Sequence, residues 1–259
     1  MKKPNYGNWI PKTLMYCLWG GTAAFVALWL LFTFVWHLPL FKGLFLLPAL
    51  LSAAMSLYMQ LCRHAFSFDG GGIMADIHKA LLSHLSWDGR GSLIDIGCGS
   101  GALAILCGKT WPGANITGID YWSREWNYAK EQCEENAHIE ALSHITFCQG
   151  DAASLPFADE SFDAAVSNFV FHEVRTQPDK GKVVREALRV VKKGGPFAFH
   201  DLFEQKQIYG NMETLIEELK AEGITEIHYL PHTENLDCIP WYIKAPWLLT
   251  GLGILYGVK

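Results

Sequence analysis

Residues Leu93-Ile-Asp-Ile-Gly97-Cys98-Gly99-Ser-Gly101 carry an apolar strand, with one acid in it, straight into a glycine-rich turn. Glycine lacks a Cβ, so positions 97, 99 and 101 tolerate positive φ and let backbone approach a ligand closely. A helix predicted from Ala102 then aims its first N–H groups back at the turn. A strand–turn–helix unit of this kind belongs in an open α/β sheet, where it cradles a nucleotide cofactor. About twenty residues further on, Ile116-Thr-Gly-Ile119 ends in Asp120, where an acid can hold both hydroxyls of a ribose. A third strand precedes Gly150-Asp151-Ala152 and a fourth precedes Asn168. Polar groups from several strand ends therefore point at one crevice.

Apolar strands and helices alternate through the rest of the chain, which predicts a doubly wound, Rossmann-like parallel sheet. The strands are predicted at Ser92 to Ile96, Asn115 to Ile119, His144 to Cys148, Phe162 to Val166, Pro196 to His200 and Ile224 to Leu230. The helices are predicted at Ile73 to His84, Ala102 to Trp111, Ser123 to His138, Asp179 to Lys192 and Asn211 to Glu222. Ser123 as cap and Glu125 in the first turn suit a helix start, and Lys192-Lys193-Gly194-Gly195 suits a helix stop. Gly253 to Lys259 alternates like a last strand and is too short to span a bilayer.

The first 64 residues read differently. Leu14 to Trp36 and Leu44 to Cys62 contain no charged residue, and each is long enough to cross a membrane as a helix. His37 to Gly43 joins them, so the pair is expected to form a transmembrane hairpin ahead of a domain at 65–259. Lys2, Lys3, Lys12 and Arg63 flank the pair against Lys42 alone in the turn, which places both termini and the following domain on the cytoplasmic side of a cell membrane. Small residues at four-residue spacing, Gly20 with Ala24, Ala49 with Ala53 and Ser52 with Ser56, suit close helix contact. Ser67 to Gly72 reads as a flexible hinge, with Phe66, Phe68 and Met74 as candidates for a lid. Ile239 to Leu249, rich in aromatics and broken by proline, suits either the headgroup region of a bilayer, a cap on an acceptor pocket, or packing on the sheet.

Composition narrows the chemistry. A net charge of −5 with no dense basic stretch argues against a nucleic-acid partner. Seven cysteines without a C-x-x-C pair argue for reduced thiols, and ten histidines form no metal-ligand spacing, so no metal site is expected. The oligomeric state stays open.

Gly97, Gly99 and Ala102 also satisfy the G-x-G-x-x-A form of nicotinamide and flavin sites. The surrounding motifs carry more weight. With D-x-G-x-G-x-G at 95–101, G-I-D at 118–120, G-D-A at 150–152, F-D-A-A-V-S-N-F-V-F-H-E-V at 162–174 and R-V-V-K-K-G-G at 189–195, the chain resembles the class I S-adenosylmethionine-dependent methyltransferases. The similarity is greatest to the ubiquinone/menaquinone methyltransferase-like group. The resemblance covers roughly residues 65 to 259 and implies an antiparallel last strand. It further implies methyl transfer from S-adenosylmethionine to a small acceptor, which the apolar helices suggest is lipophilic or membrane-associated.

The resemblance also implies roles. Asp95 would hold the turn, or the cofactor's amino group through water. Gly97, Cys98, Gly99 and Gly101 would face its amino-acid end. Asp120 would take the ribose, and Tyr121 or Trp122 would stack on adenine. Asp151 would accept from the adenine amino group, beside the Ala152 N–H. Asn168 would lie near the methionine moiety, and His172 or His200, with Asp201, could serve as the base for an acceptor that must lose a proton. A nicotinamide-dependent oxidoreductase and a non-catalytic S-adenosylmethionine sensor are the alternatives.

Overall fold

The computed structural model describes residues 2–122 and 129–259, in two compact units: Asn8–Met74, and Ala75–Lys259 together with the residues up to Gly7.

In the smaller unit, α1 (Lys12–Leu30) runs on through a π-helical turn, Leu31–Val35, and α2 spans Pro39–Phe66. Both are long and apolar enough to cross a membrane. The connection is shorter than the charge pattern suggested, because Pro39, with its fixed φ and no N–H to satisfy, starts α2 and draws Lys42 and Gly43 into the helix. Left-handed His37 makes the turn. The helices meet through polar groups: the Thr22 hydroxyl lies 2.7 Å from Ser52 Oγ and 3.0 Å from Ser56 Oγ. Ser52 and Ser56 therefore serve the seam as expected, whereas Gly20 and Ala24 point away from it and a Cβ at Gly20 would meet open space. Residues 67–72 are a packed turn where a loose hinge was expected. The Gly71 N–H donates to the His64 carbonyl at 2.9 Å, and a Cβ on Gly71 would sit 2.6 Å from the Ala65 backbone.

The larger unit opens with α3 (Ile73–Leu82), whose first two residues belong to the smaller one. There follow β1 (Ser92–Ile96), α4 (Ala102–Thr110), β2 (Asn115–Asp120), α5 (Lys130–Ile139), β3 (Ile145–Gln149), β4 (Ala164–Asn168), α6 (Lys180–Arg189) and β5 (Pro196–Asp201). A single turn of helix, α7 (Lys206–Tyr209), precedes α8 (Met212–Ala221), β6 (Glu226–Pro231) and β7 (Gly253–Val258). One sheet orders them 3-2-1-4-5-7-6. Strands β1 to β5 pair in parallel, and β7 inserts antiparallel between β5 and β6. This is the Rossmann-like arrangement with an antiparallel last strand. Both faces are covered, by one cluster around Ile94, Val184 and Phe199 and another around Leu93, Ile105 and Val166, as parallel sheets require.

One boundary moved for a physical reason. Strand β4 starts at Ala164 because Phe162 pairs instead with Val191, through Phe162 N–H to Val190 O and Lys192 N–H to Phe162 O. The predicted cap Ser123 and the acid Glu125 lie outside the described residues, and α5 is described from Lys130. Chain order reverses between β1 and β4, and in an open α/β sheet the crevice at the strand C-termini there is where ligands bind.

Candidate cofactor site

The glycine turn bends directly off β1 at this reversal. Gly97 has φ 76°, and a Cβ there would lie 2.2 Å from Val170 Cγ2, so a larger residue would push the β4 loop away. Gly101, at φ 81°, sets the left-handed start of α4. The turn is closed by β2: the N–H groups of Gly97 and Cys98 both donate to the Ile119 carbonyl, at 2.7 and 3.0 Å. The Cys98 N–H therefore faces β2, and its side chain is buried in the core. Gly97 and Gly99 are the half-buried positions of the turn, whereas Ser100 and Gly101 are buried.

Asp120 ends β2 with Oδ2 accepting from the Gly99 N–H and Oδ1 from the Trp122 N–H, each at 2.8 Å. Burial raises its carboxyl above the usual range, against the opposing pull of these backbone donors. A carboxylate has about four lone-pair sites, so two donors leave acceptor capacity. Asp95 is more deeply placed. It is 1% exposed, and its Oδ2 has no hydrogen-bond partner among the described residues. Burial pushes it up to about 8, the Ala104 N–H pulls the other way, and the nearby Asp120 charge adds to the rise. Asp151 follows β3, with Oδ1 accepting from Ala153 N–H at 2.8 Å in a tight turn. The Gly150 N–H ties this turn to the Asp120 carbonyl at 3.0 Å. Ala152 packs against the sheet. Of the two aromatics after Asp120, Tyr121 projects outward. Left-handed Trp122 folds back, its indole N–H donating to the Gly99 carbonyl at 2.9 Å.

Beyond β4 lies a second polar group. Asn168 Oδ1 is 3.0 Å from His200 Nδ1, and His200 Nε2 is 2.7 Å from the Thr233 hydroxyl. His200 is buried with both nitrogens engaged, and burial lowers it to about 3. It is neutral and closed to a substrate proton. The next residue, Phe169, is held left-handed with its ring 4.5 Å from that of His200, a strained conformation for an aromatic of the kind that clusters at functional sites. His172 differs. Its Nδ1 lies 2.6 Å from Asp201 Oδ1, and its Nε2 is 3.4 Å from Glu173. Burial would lower it, but the Asp201 charge and hydrogen bond, with Glu173, outweigh this and raise it to about 9. Asp201 also accepts from the N–H groups of Val170, Phe171, His172 and Leu202.

Sequence reasoning missed the role of Asp201 as a hub and the docking of residues 2–7 on this unit. An acid directly after a buried His200 was a visible sign of the first. Nothing in the sequence signalled the second. Among the described residues no cluster has metal-ligand composition.

A seven-stranded sheet of this order, with a glycine turn and an acid at successive strand ends, defines a nucleotide-cofactor-binding α/β protein of the methyltransferase type. Residues 94–199 match the methyltransferase domain family. A demethylmenaquinone methyltransferase of Desulfitobacterium hafniense is 39% identical over 105 residues, 40% of this chain and 39% of the relative. The sterol 24-C-methyltransferase ERG6A of Gibberella zeae is 30% identical over 200 residues, 67% of this chain and 49% of the relative. An arsenite methyltransferase of Aquipseudomonas alcaligenes is 33% identical over 123 residues, 45% of this chain and 34% of the relative. The chain thus spans about half or less of the length of these relatives. Among solved structures, geranyl diphosphate methyltransferase with GPP and sinefungin superposes with a TM-score of 0.55 at 15% identity, covering 71% of this chain and 78% of that one. The chain carries a class I S-adenosylmethionine-dependent methyltransferase domain, and S-adenosylmethionine is its cofactor.

Proposed function

We propose that this chain transfers the methyl group of S-adenosylmethionine to a small, lipophilic acceptor at a membrane. The observation that carries the reading is one chain holding both a methyltransferase domain and two helices, of 24 and 27 residues, apolar enough to cross a bilayer. Relatives named for demethylmenaquinone and for a sterol agree with a lipophilic acceptor. The spanning hairpin, with both ends on the cytoplasmic side, follows from Lys2, Lys3, Lys12 and Arg63 against Lys42. Ile239, Ile243 and Leu249 bury themselves while Trp241 and Trp247 stand 83% and 65% exposed, which suits a headgroup region.

The residues present fit the cofactor. Asp95 has a buried oxygen without a partner, and Asp120 retains acceptor capacity, so two carboxyls suit the amino and ribose groups of an adenosyl cation. Asp151 and Ala152 would hold the adenine edge, Tyr121 would cover its face, and Gly97 to Gly101 would line the amino-acid end. When bound, the cofactor supplies a methyl group already activated on sulfonium, so alignment accounts for much of the rate. Asn168, fixed by His200, orients that end of the crevice. His172 is charged at neutral pH, with Nε2 only 3.4 Å from Glu173, and would accept a proton from the acceptor in its neutral form, which becomes populated as pH rises toward about 9.

This predicts methyl transfer to a hydroxyl acceptor that rises with pH to a plateau above about 9. His172→Gln should abolish that rise, and an unchanged pH–rate profile would remove His172 from the proton path. The substrate class is tested by incubating native membranes with cofactor labelled in the methyl group. Label should enter the organic extract, and label confined to water-soluble products defeats the lipophilic reading. Cofactor binding without conversion to S-adenosylhomocysteine would favour a sensor instead.

A further inference from the structure

We infer that the residues ahead of α1 form a strap that braces the back of the glycine turn, and that Asn136 is the positioning residue through which the strap sets cofactor affinity. The inference rests on the reading of that turn as the S-adenosylmethionine site. Asn136, on α5, is 1% exposed. Its Oδ1 accepts from the Asn5 N–H at 2.7 Å, while its Nδ2 donates to the Asn5 carbonyl at 2.9 Å. The side-chain amide thus pairs with the Asn5 residue much as one strand residue pairs with another. The same Nδ2 donates to the Ser100 carbonyl at 3.0 Å, and the Ser100 hydroxyl donates to the Tyr6 carbonyl at 2.8 Å. One buried amide therefore joins the strap to the middle of the turn.

Other contacts hold the strap and the turn from the same side. Gln132 Nε2 donates to the Asn5 carbonyl at 2.6 Å, the Tyr6 hydroxyl donates to Glu140 at 2.8 Å, and Lys2 pairs with Glu135. The Gly99 carbonyl accepts from Cys133 Sγ at 3.1 Å and from the Trp122 indole at 2.9 Å. A peptide unit is planar, so fixing the Gly99 carbonyl also fixes the direction of the Ser100 N–H, and fixing the Ser100 carbonyl holds the Gly101 N–H on the Cys98 carbonyl, at 2.7 Å. The conformation a ligand meets on the front of the turn is thereby decided from behind. A turn that must be ordered on binding binds more weakly than one already in place.

The test uses the full-length protein in detergent and the variants Asn136→Ala and Asn5→Pro. The second removes the Asn5 N–H from an exposed segment together with the side-chain oxygen that accepts from the Gly7 N–H at 3.1 Å, a loss that Asn5→Ala shares. Calorimetric titration with S-adenosylmethionine and S-adenosylhomocysteine should show Kd weakened about tenfold in both variants. Turnover at saturating cofactor should change less than about threefold, because the brace acts on binding. Hydrogen exchange of the Gly99 to Ala102 amides should speed up in both, and Asn5→Ala, which keeps both backbone groups, should lie closer to the native protein than Asn5→Pro. Native affinity and native loop exchange in Asn5→Pro would overturn the strap. Affinity, turnover and melting temperature falling together in both variants would overturn the positioning role of Asn136. If the native protein binds neither compound while loop exchange still responds to Asn5→Pro, the turn is braced as described and its reading as a cofactor site fails.

Discussion

Asp95 and Asp201 are both buried carboxyls near the C-terminal ends of strands that flank β4, yet their surroundings treat them in opposite ways. Asp201 accepts from four backbone N–H groups and from His172, and although burial opposes ionisation, the histidine and these donors hold it below the usual carboxylate range. Asp95 keeps one oxygen without a partner, and burial drives it up to about 8. The first is a completed ion pair that organises the loop after β4. The second is a carboxyl whose environment is unfinished in the protein alone, which a cationic ligand would complete. Depth of burial is shared; what separates them is the number of donors supplied by the fold.

The largest effect should come from breaking the completed partner. Asp201→Asn turns an amide against inward-facing N–H donors and removes the buried charge partner of His172, and should cost about 3–5 kcal/mol in urea unfolding. The pH dependence of the native pair follows from its two shifts. His172 is raised from 6.5 to about 9, so its contribution is complete below 6.5 and is lost as pH rises through 9. Asp201 is lowered from 3.8, so its contribution is present above that value and is lost as pH falls through its folded pKa. A flat unfolding profile from pH 6.5 to 9 would dismiss the pair as a source of stability.

A smaller loss is expected at Asp120, where Asp120→Asn should weaken S-adenosylmethionine binding by about 10- to 100-fold in calorimetry. Asp95→Asn should act in the opposite sense on stability. The folded state holds an extra proton on Asp95 between pH 3.8 and about 8, so native stability falls as pH rises across that range. The neutral amide removes that slope and should stabilise the protein by about 1–2 kcal/mol at pH 8. The same substitution should weaken cofactor binding and flatten its increase with pH, since a cation favours the ionised carboxyl. A variant no more stable than native at pH 8 would make the two carboxyls equivalent after all.

Much of the fold was legible because period and punctuation report local physics. The runs at 92–96, 115–119 and 196–200 are apolar because parallel strands covered on both faces must be, and each became a strand. Gly97 and Gly101 announced the turn, since side chains rarely adopt their positive φ. His200 shows the limit. Its place beside Asn168 and Asp201 could be read from the strand ends, but its closure by Thr233, a residue outside any strand, could not. Asn136 was invisible for a similar reason: an asparagine in a polar helix has no signature until a distant segment lies against it.

The order of residues alone determined the α/β sheet, the glycine turn, the acids that follow successive strands and the two long apolar helices, because each depends on neighbours a few positions apart. Only the tertiary structure decided which acid is saturated and which is left unpaired, which histidine is neutral and which charged, and that residues 2–7 return to the glycine turn. Those outcomes depend on burial and on donors brought from tens of residues away, quantities that come into existence when the chain has packed.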